Sequence, residues 1–134
     1  IVMERMYGTL GNFNKLLHEE KYPILFHEQI VIKLIKTIVE AYRELYINGA
    51  WHRDLKPNNI LMGGNMKLKL ADFGACVYPK GKLKQGAGTP YYRAPQFKAG
   101  KEYSNKCDVF SIGCIFLYLL TGKSLRDLGV IDKN

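Results

Sequence analysis

The chain has 134 residues, 47% apolar and 24% charged, which is enough for one domain with its own core and unlike a disordered or fibrous composition. Twenty Lys and Arg against twelve Asp and Glu leave a net charge of +8. That suits a partner carrying phosphates or carboxylates without choosing among nucleotide, nucleic acid and acidic peptide.

The three cysteines, Cys76, Cys107 and Cys114, are odd in number and show no paired or zinc-ligand spacing. They argue against a disulfide scaffold and for a reducing, intracellular setting, cytoplasm or nucleus. The longest apolar run, Val109 to Leu120, falls short of the roughly 20 residues that span a bilayer, so no membrane segment is expected.

In chain order, Ile1 to Met6 reads as the end of a strand with no leader before it, so a piece of a longer protein is expected. Tyr7 to Gly11 breaks the strand, Asn12 to Glu20 reads as a short helix, and Pro23 sits in a link. His27 to Asn48 is the clearest helix: Ile30, Leu34, Ile38, Tyr42 and Leu45 recur at helical spacing, opposite Lys33, Lys36, Glu40 and Arg43. Such a helix would be roughly 33 Å long, and Gly49 is a natural terminator.

Ile60-Leu61-Met62, a turn at Gly63-Gly64-Asn65 and the alternating Met66 to Leu70 predict a hairpin with its lysines facing water. Tyr78 to Gly88 reads as an exposed loop carrying Lys80, Lys82 and Lys84. Cys107 to Thr121 reads as a buried helix closed by Gly122, with Cys107 and Cys114 on one face as core thiols. The fold class expected is α+β, mainly helical, with one small hairpin.

The chemistry concentrates between the long helix and the hairpin. Asp54 lies in a short loop held on rigid supports. Asn59 offers an oxygen suited to a hard cation, Lys56 a point charge for a phosphate, and Asp72 a second carboxylate. A base, two metal ligands and a cation are what phosphoryl transfer needs, since that reaction asks for positioning and charge neutralisation more than covalent help.

His52-Arg53-Asp54-Leu55-Lys56-Pro57-Asn58-Asn59 resembles the catalytic loop of the eukaryotic protein kinase family. Asp72-Phe73-Gly74, Gly88-Thr89-Pro90-Tyr91-Tyr92-Arg93-Ala94-Pro95 and Asp108-Val109-Phe110-Ser111-Ile112-Gly113 resemble three further motifs, in the family's order. The resemblance covers essentially the whole chain and implies a kinase-like large lobe without the small lobe. It places a hinge at residues 1–8, the catalytic loop at 52–59, the activation segment at 72–96 and the central helix at 107–121.

The resemblance implies a role for each matched residue. Asp54 receives or orients the substrate hydroxyl proton, and Lys56 meets the transferred phosphate. Asn59 and Asp72 hold Mg2+. Thr89 supports Asp54 and Lys56, Asp108 braces the catalytic loop, and His52 and Phe73 belong to a packed column. For ATP, Met3 is the gatekeeper, backbone groups of Glu4 and Met6 bond the adenine edge, and Leu61 forms its floor. Lys56-Pro57 and Gly88-Thr89-Pro90 are similar to Ser/Thr kinases, so the partners implied are ATP and a protein with a Ser or Thr hydroxyl.

Several departures stand out. The Gly-rich loop and the strand Lys with its helix Glu are not in this sequence. Gln96 replaces the Glu of A-P-E. Phe110 and Trp51 replace the usual Trp and a small aliphatic. The activation loop has no Ser or Thr between Asp72 and Gly88, which predicts a loop not switched by Ser/Thr phosphorylation. Cys76 lies near the proposed site, reactive if accessible and inert if buried. A kinase-like scaffold without catalysis is the alternative function. A nucleic-acid-binding fragment lacks the interleaved aromatic and basic residues it would need, so no nucleic acid partner is expected.

Overall fold

The computed structural model describes residues 4–19, 24–84, 86–98 and 101–129. Met3, Pro23 and the first residues of the expected strand lie outside them. Glu4 to Tyr7 carries no regular structure, and the first strand, β1, is Gly8–Thr9. The expectation of a strand ending at Met6 is therefore displaced towards the segment that was expected to break it.

The cause is local. Thr9 caps the following helix: its Oγ1 accepts from the Asn12 amide at 3.2 Å, and Asn12 Oδ1 accepts from the Thr9 amide at 3.2 Å. This reciprocal pair, with Asn in place of the usual Glu, starts helix α1 at Leu10 rather than Asn12. Helix α1 runs over Leu10–Glu19 and buries Leu10, Asn14 and Leu17.

Helix α2 is Ile24–Ile47, three residues earlier at its start than the pattern predicts. Its end follows the expectation: Gly49 takes φ 76, its amide bonds to Tyr46 O at 2.9 Å, and the Ala50 amide bonds to Leu45 O at 3.2 Å. These two bonds satisfy carbonyls that the helix leaves without partners.

The hairpin is β2, Ile60–Met62, and β3, Leu68–Leu70, shorter than expected because Gly64–Met66 closes in a tight turn with Asn65 and Met66 at positive φ. Strand β1 pairs antiparallel with β2 through Gly8↔Met62 and Thr9↔Leu61, giving a three-stranded sheet in the order β1-β2-β3. The hairpin lysines do not simply face water. Lys67 meets Glu4 at 3.1 Å and Lys69 also contacts it, pulling the Glu4 carboxyl below its ordinary value, Lys69 first and then Lys67.

After the short helix α3, Pro95–Lys98, comes α4, Lys106–Thr121. Helices α2 and α4 pack on each other, and α2 also packs on β3. Val31, Leu34 and Ile38 meet Leu55, Ile60, Ile115 and Leu119 in one buried cluster. The last turn of α4 is closed from outside: Asn14 donates to Tyr118 O at 3.0 Å, and Nε2 of both His18 and His27 lies 3.0 Å from Leu119 O. Gly122 takes φ 69, where a Cβ would stand 2.9 Å from the His18 ring. A second cluster of Ala94, Phe97, Tyr103 and Cys107, with Trp51, Leu83 and Phe110 at its edge, ties Leu83, Ala94 and Phe97 to the start of α4. Among the described residues no helix is long and apolar enough to cross a membrane.

Candidate active site

The loop from His52 to Asn59 is suspended between the end of α2 and the start of β2, and Asp108 near the start of α4 holds its backbone. The Asp108 carboxylate is fully buried and accepts from the His52 amide at 2.8 Å and the Arg53 amide at 2.7 Å. Burial pushes this carboxyl up, and the two amide bonds oppose the shift. The bonds fix Arg53 at φ 67, a setting uncommon for a residue with a side chain.

His52 is buried beneath the loop. Its Nε2 lies 3.0 Å from Ala71 O, and its Nδ1 accepts from the Asp54 amide at 3.3 Å, a pattern that needs the proton on Nε2. Its ring centroid is 5.2 Å from that of Phe73, which is half exposed.

Asp54, Lys56 and Thr89 close a ring of contacts. Asp54 Oδ1 accepts from Thr89 Oγ1 at 2.7 Å and from the Thr89 amide at 2.8 Å. Lys56 Nζ donates to Thr89 Oγ1 at 2.7 Å and lies 3.2 Å from Asp54 Oδ2. Asn59, 6% exposed, gives Nδ2 to Asp54 O at 2.9 Å and to Asp54 Oδ2 at 3.2 Å. Burial pushes the Asp54 carboxyl up. The Thr89 hydroxyl and then Lys56 more than offset this, so its pKa falls below the ordinary aspartate value.

Thr89 reaches Asp54 because Gly88 passes close beneath the loop. Gly88 has φ 90, and a Cβ there would lie 2.3 Å from Arg53 O. Only glycine tolerates both the angle and the approach.

Asp72 stands apart from the ring. It adopts φ 58, is exposed, and its Oδ1 accepts from the Gly74 amide at 3.3 Å. The Ala71 amide bonds to Asn59 O at 2.9 Å, continuing the β2–β3 ladder and bringing Asn59 and Asp72 to the same open end of the hairpin. Both residues supply hard oxygen atoms: Asn59 uses its amide nitrogen for Asp54, which leaves the amide oxygen, and Asp72 has a carboxylate. Among the described residues no group of three or more His, Cys, Asp or Glu forms a metal cage. Two protein oxygens completed by water and phosphate suit Mg2+, which keeps several waters.

On the hinge side, Tyr7 donates to Met62 O at 2.8 Å, and the half-buried Met6 side chain lies beside Gly63. Glu4, Met6 and Leu61 are thus brought to the hairpin, while Met3 lies outside the described residues. Lys80, Lys82 and Lys84 are exposed, Lys82 pairing with Glu102 at 3.7 Å. Cys107 and Cys114 are buried, as their spacing predicts, and burial pushes their thiols up to about 12 and about 11. Burial first, and then the Asp108 charge, also raise Cys76, which favours the inert thiol over the reactive one.

Sequence reasoning marked Trp51 as a departure without a role and missed Tyr103. Trp51 pairs its backbone both ways with Val77 and sets its ring 6.2 Å from that of Tyr103, so its backbone holds Val77 while its side chain packs towards the stretch before α4. No short-range signal announces this contact.

A helical lobe with a small antiparallel sheet thus carries a loop presenting Asp54, Lys56 and Asn59, with Asp72 at the open end of the hairpin. The family model described as the protein kinase domain matches residues 1–129, and the chain belongs to that family. A probable myosin light chain kinase of Dictyostelium discoideum is 38% identical over 114 residues, covering 82% of this chain and 35% of that protein. A probable serine/threonine-protein kinase of Encephalitozoon cuniculi is 36% identical over 118 residues, covering 88% of this chain and 22% of its own length. Dual specificity tyrosine-phosphorylation-regulated kinase 3 of Homo sapiens is 38% identical over 102 residues, with 75% of this chain and 17% of that protein covered. The chain spans about a third or less of the length of these relatives.

Proposed function

We propose that the protein carrying this chain is a Ser/Thr protein kinase that transfers the ATP γ-phosphate to a protein hydroxyl, and that these residues form the half of the site handling metal, phosphate and hydroxyl. The observation that carries this reading is the Asp54 carboxylate, fixed in the loop by the Thr89 amide and hydroxyl, the Lys56 ammonium and the Asn59 amide. An ionised aspartate in that setting orients a hydroxyl and receives its proton. Lys56, already within reach of Thr89 and Asp54, neutralises charge on the phosphoryl group in flight.

Asn59 and Asp72 would hold magnesium, whose bound charge screens the phosphate oxygens. Adenine would lie against Leu61, with its edge bonded by backbone groups of Glu4 and Met6 and its depth limited by Met3. An intracellular location fits an ATP substrate and three free thiols.

The test is phosphate transfer by the full-length protein with Mg2+ and ATP. Wild type should label a generic protein substrate, while Asp54→Asn and Asp72→Ala should not. Nucleotide binding without Asp54-dependent labelling would place the protein among kinase-like scaffolds instead.

A further inference from the structure

Arg53 sits between His52 and Asp54, yet its side chain serves neither neighbour. Nε donates to Ala75 O at 2.7 Å, just beyond Asp72-Phe73-Gly74, and Nη1 donates to the Tyr103 hydroxyl at 2.9 Å. Tyr103 is 4% exposed and comes from the stretch leading into α4. Its amide and carbonyl pair with Leu83 at 2.9 and 3.1 Å, and its ring packs 4.2 Å from Phe97 of α3. This one tyrosine therefore joins the activation loop at Leu83, the helix after it, and, through the guanidinium, the catalytic loop and the turn that carries Asp72.

We propose that Tyr103 is a positioning residue for phosphoryl transfer, holding the Asp72–Ala75 turn and the 77–84 loop in register with Asp54 through the guanidinium of Arg53. This rests on the kinase reading above. The planar fork of arginine holds its donors in fixed directions towards both acceptors, where the rotatable ammonium of a lysine would not, and bonds from a cation are among the stronger hydrogen bonds. The backbone of Arg53 is clamped by Asp108, so a side chain held at Ala75 and Tyr103 transmits its placement to the next residue, Asp54. The loop is ordered this way by a group the chain already contains, ahead of any modification of the exposed Tyr78.

The test uses steady-state kinetics of the full-length protein with Tyr103→Phe, Arg53→Ala and the double variant. Tyr103→Phe removes only the hydroxyl and keeps the ring packing and both Leu83 bonds, so the fold is retained. The expected result is kcat lower by about tenfold, the scale of one lost hydrogen bond to a charged group. KM for ATP should move less than twofold, and the double variant should be no slower than Arg53→Ala alone, as shared action demands. Unchanged kcat in Tyr103→Phe, or losses that multiply in the double variant, would overturn the proposal while leaving the kinase reading intact. A wild type no faster than Asp54→Asn would instead sink the kinase reading, and this role with it.

Discussion

Asp54 and Asp72, the two candidate carboxylates, are held in opposite ways. Asp54 is surrounded by donors from its own chain: the Thr89 amide and hydroxyl, the Lys56 ammonium and the Asn59 amide. Asp72 is exposed, with one long bond to the Gly74 amide. On the kinase reading, the contrast separates a group whose geometry is set in advance from one whose geometry a cation and phosphates would complete. Preorganisation would then lower the cost of reaction at the first, and openness would admit the ligand at the second.

The severest way to break this contrast without touching either carboxylate is Gly88→Ala. The methyl meets Arg53 O and the backbone leaves a favourable angle, so Thr89 is pushed off Asp54. Activity should fall on the order of a hundredfold, with KM for ATP little changed, because the adenine side is untouched. Steady-state kinetics would check it, and a fully active variant would remove the reason given for glycine at this position.

Thr89→Ala should act more gently, lowering kcat by about tenfold through loss of one bond to a charged group. It also carries a pH signature. In wild type the folded pKa of Asp54 lies below its unfolded value of about 3.9. Its contribution to stability is therefore complete above that value and is lost as pH falls through the lower folded pKa. Without the Thr89 hydroxyl the folded pKa rises, so both acid unfolding and the acid limb of kcat should move to higher pH. A limb that stays put would show that Thr89 does not tune the carboxylate.

The smallest effect on activity is expected at the cap of α1, on the strand that pairs with Leu61. Thr9→Ala removes the cap of α1 and should cost about 1 kcal/mol of stability, read by denaturant unfolding, with kcat unchanged.

The same division marks what the sequence disclosed. The residues around Asp54 and Asp72 were legible because phosphoryl transfer dictates residue types in short motifs, and α2 and α4 were legible from apolar periodicity and terminal glycines. Helix α1 was placed two residues late because Asn12 is an uncommon partner for a capping threonine. The lysines of the hairpin were assigned to water because Glu4, their partner, lies more than sixty residues away in sequence. The closure of α4 by Asn14, His18 and His27, and the link from Arg53 to Tyr103, join segments that only the folded chain brings together. Gln96, an exposed residue on α3, keeps its place as a departure that nothing in the structure explains.

The division between a preset base and an open metal ligand is tested most directly by the magnesium dependence of kcat in the full-length protein. Asp54→Asn should lower kcat by about a thousandfold at every magnesium concentration, leaving the half-saturating concentration where it is in wild type. Asp72→Asn should raise that concentration by at least about tenfold, so that added magnesium recovers part of the rate. A shifted magnesium requirement in Asp54→Asn, or an unshifted one in Asp72→Asn, would contradict the assignment of the two carboxylates.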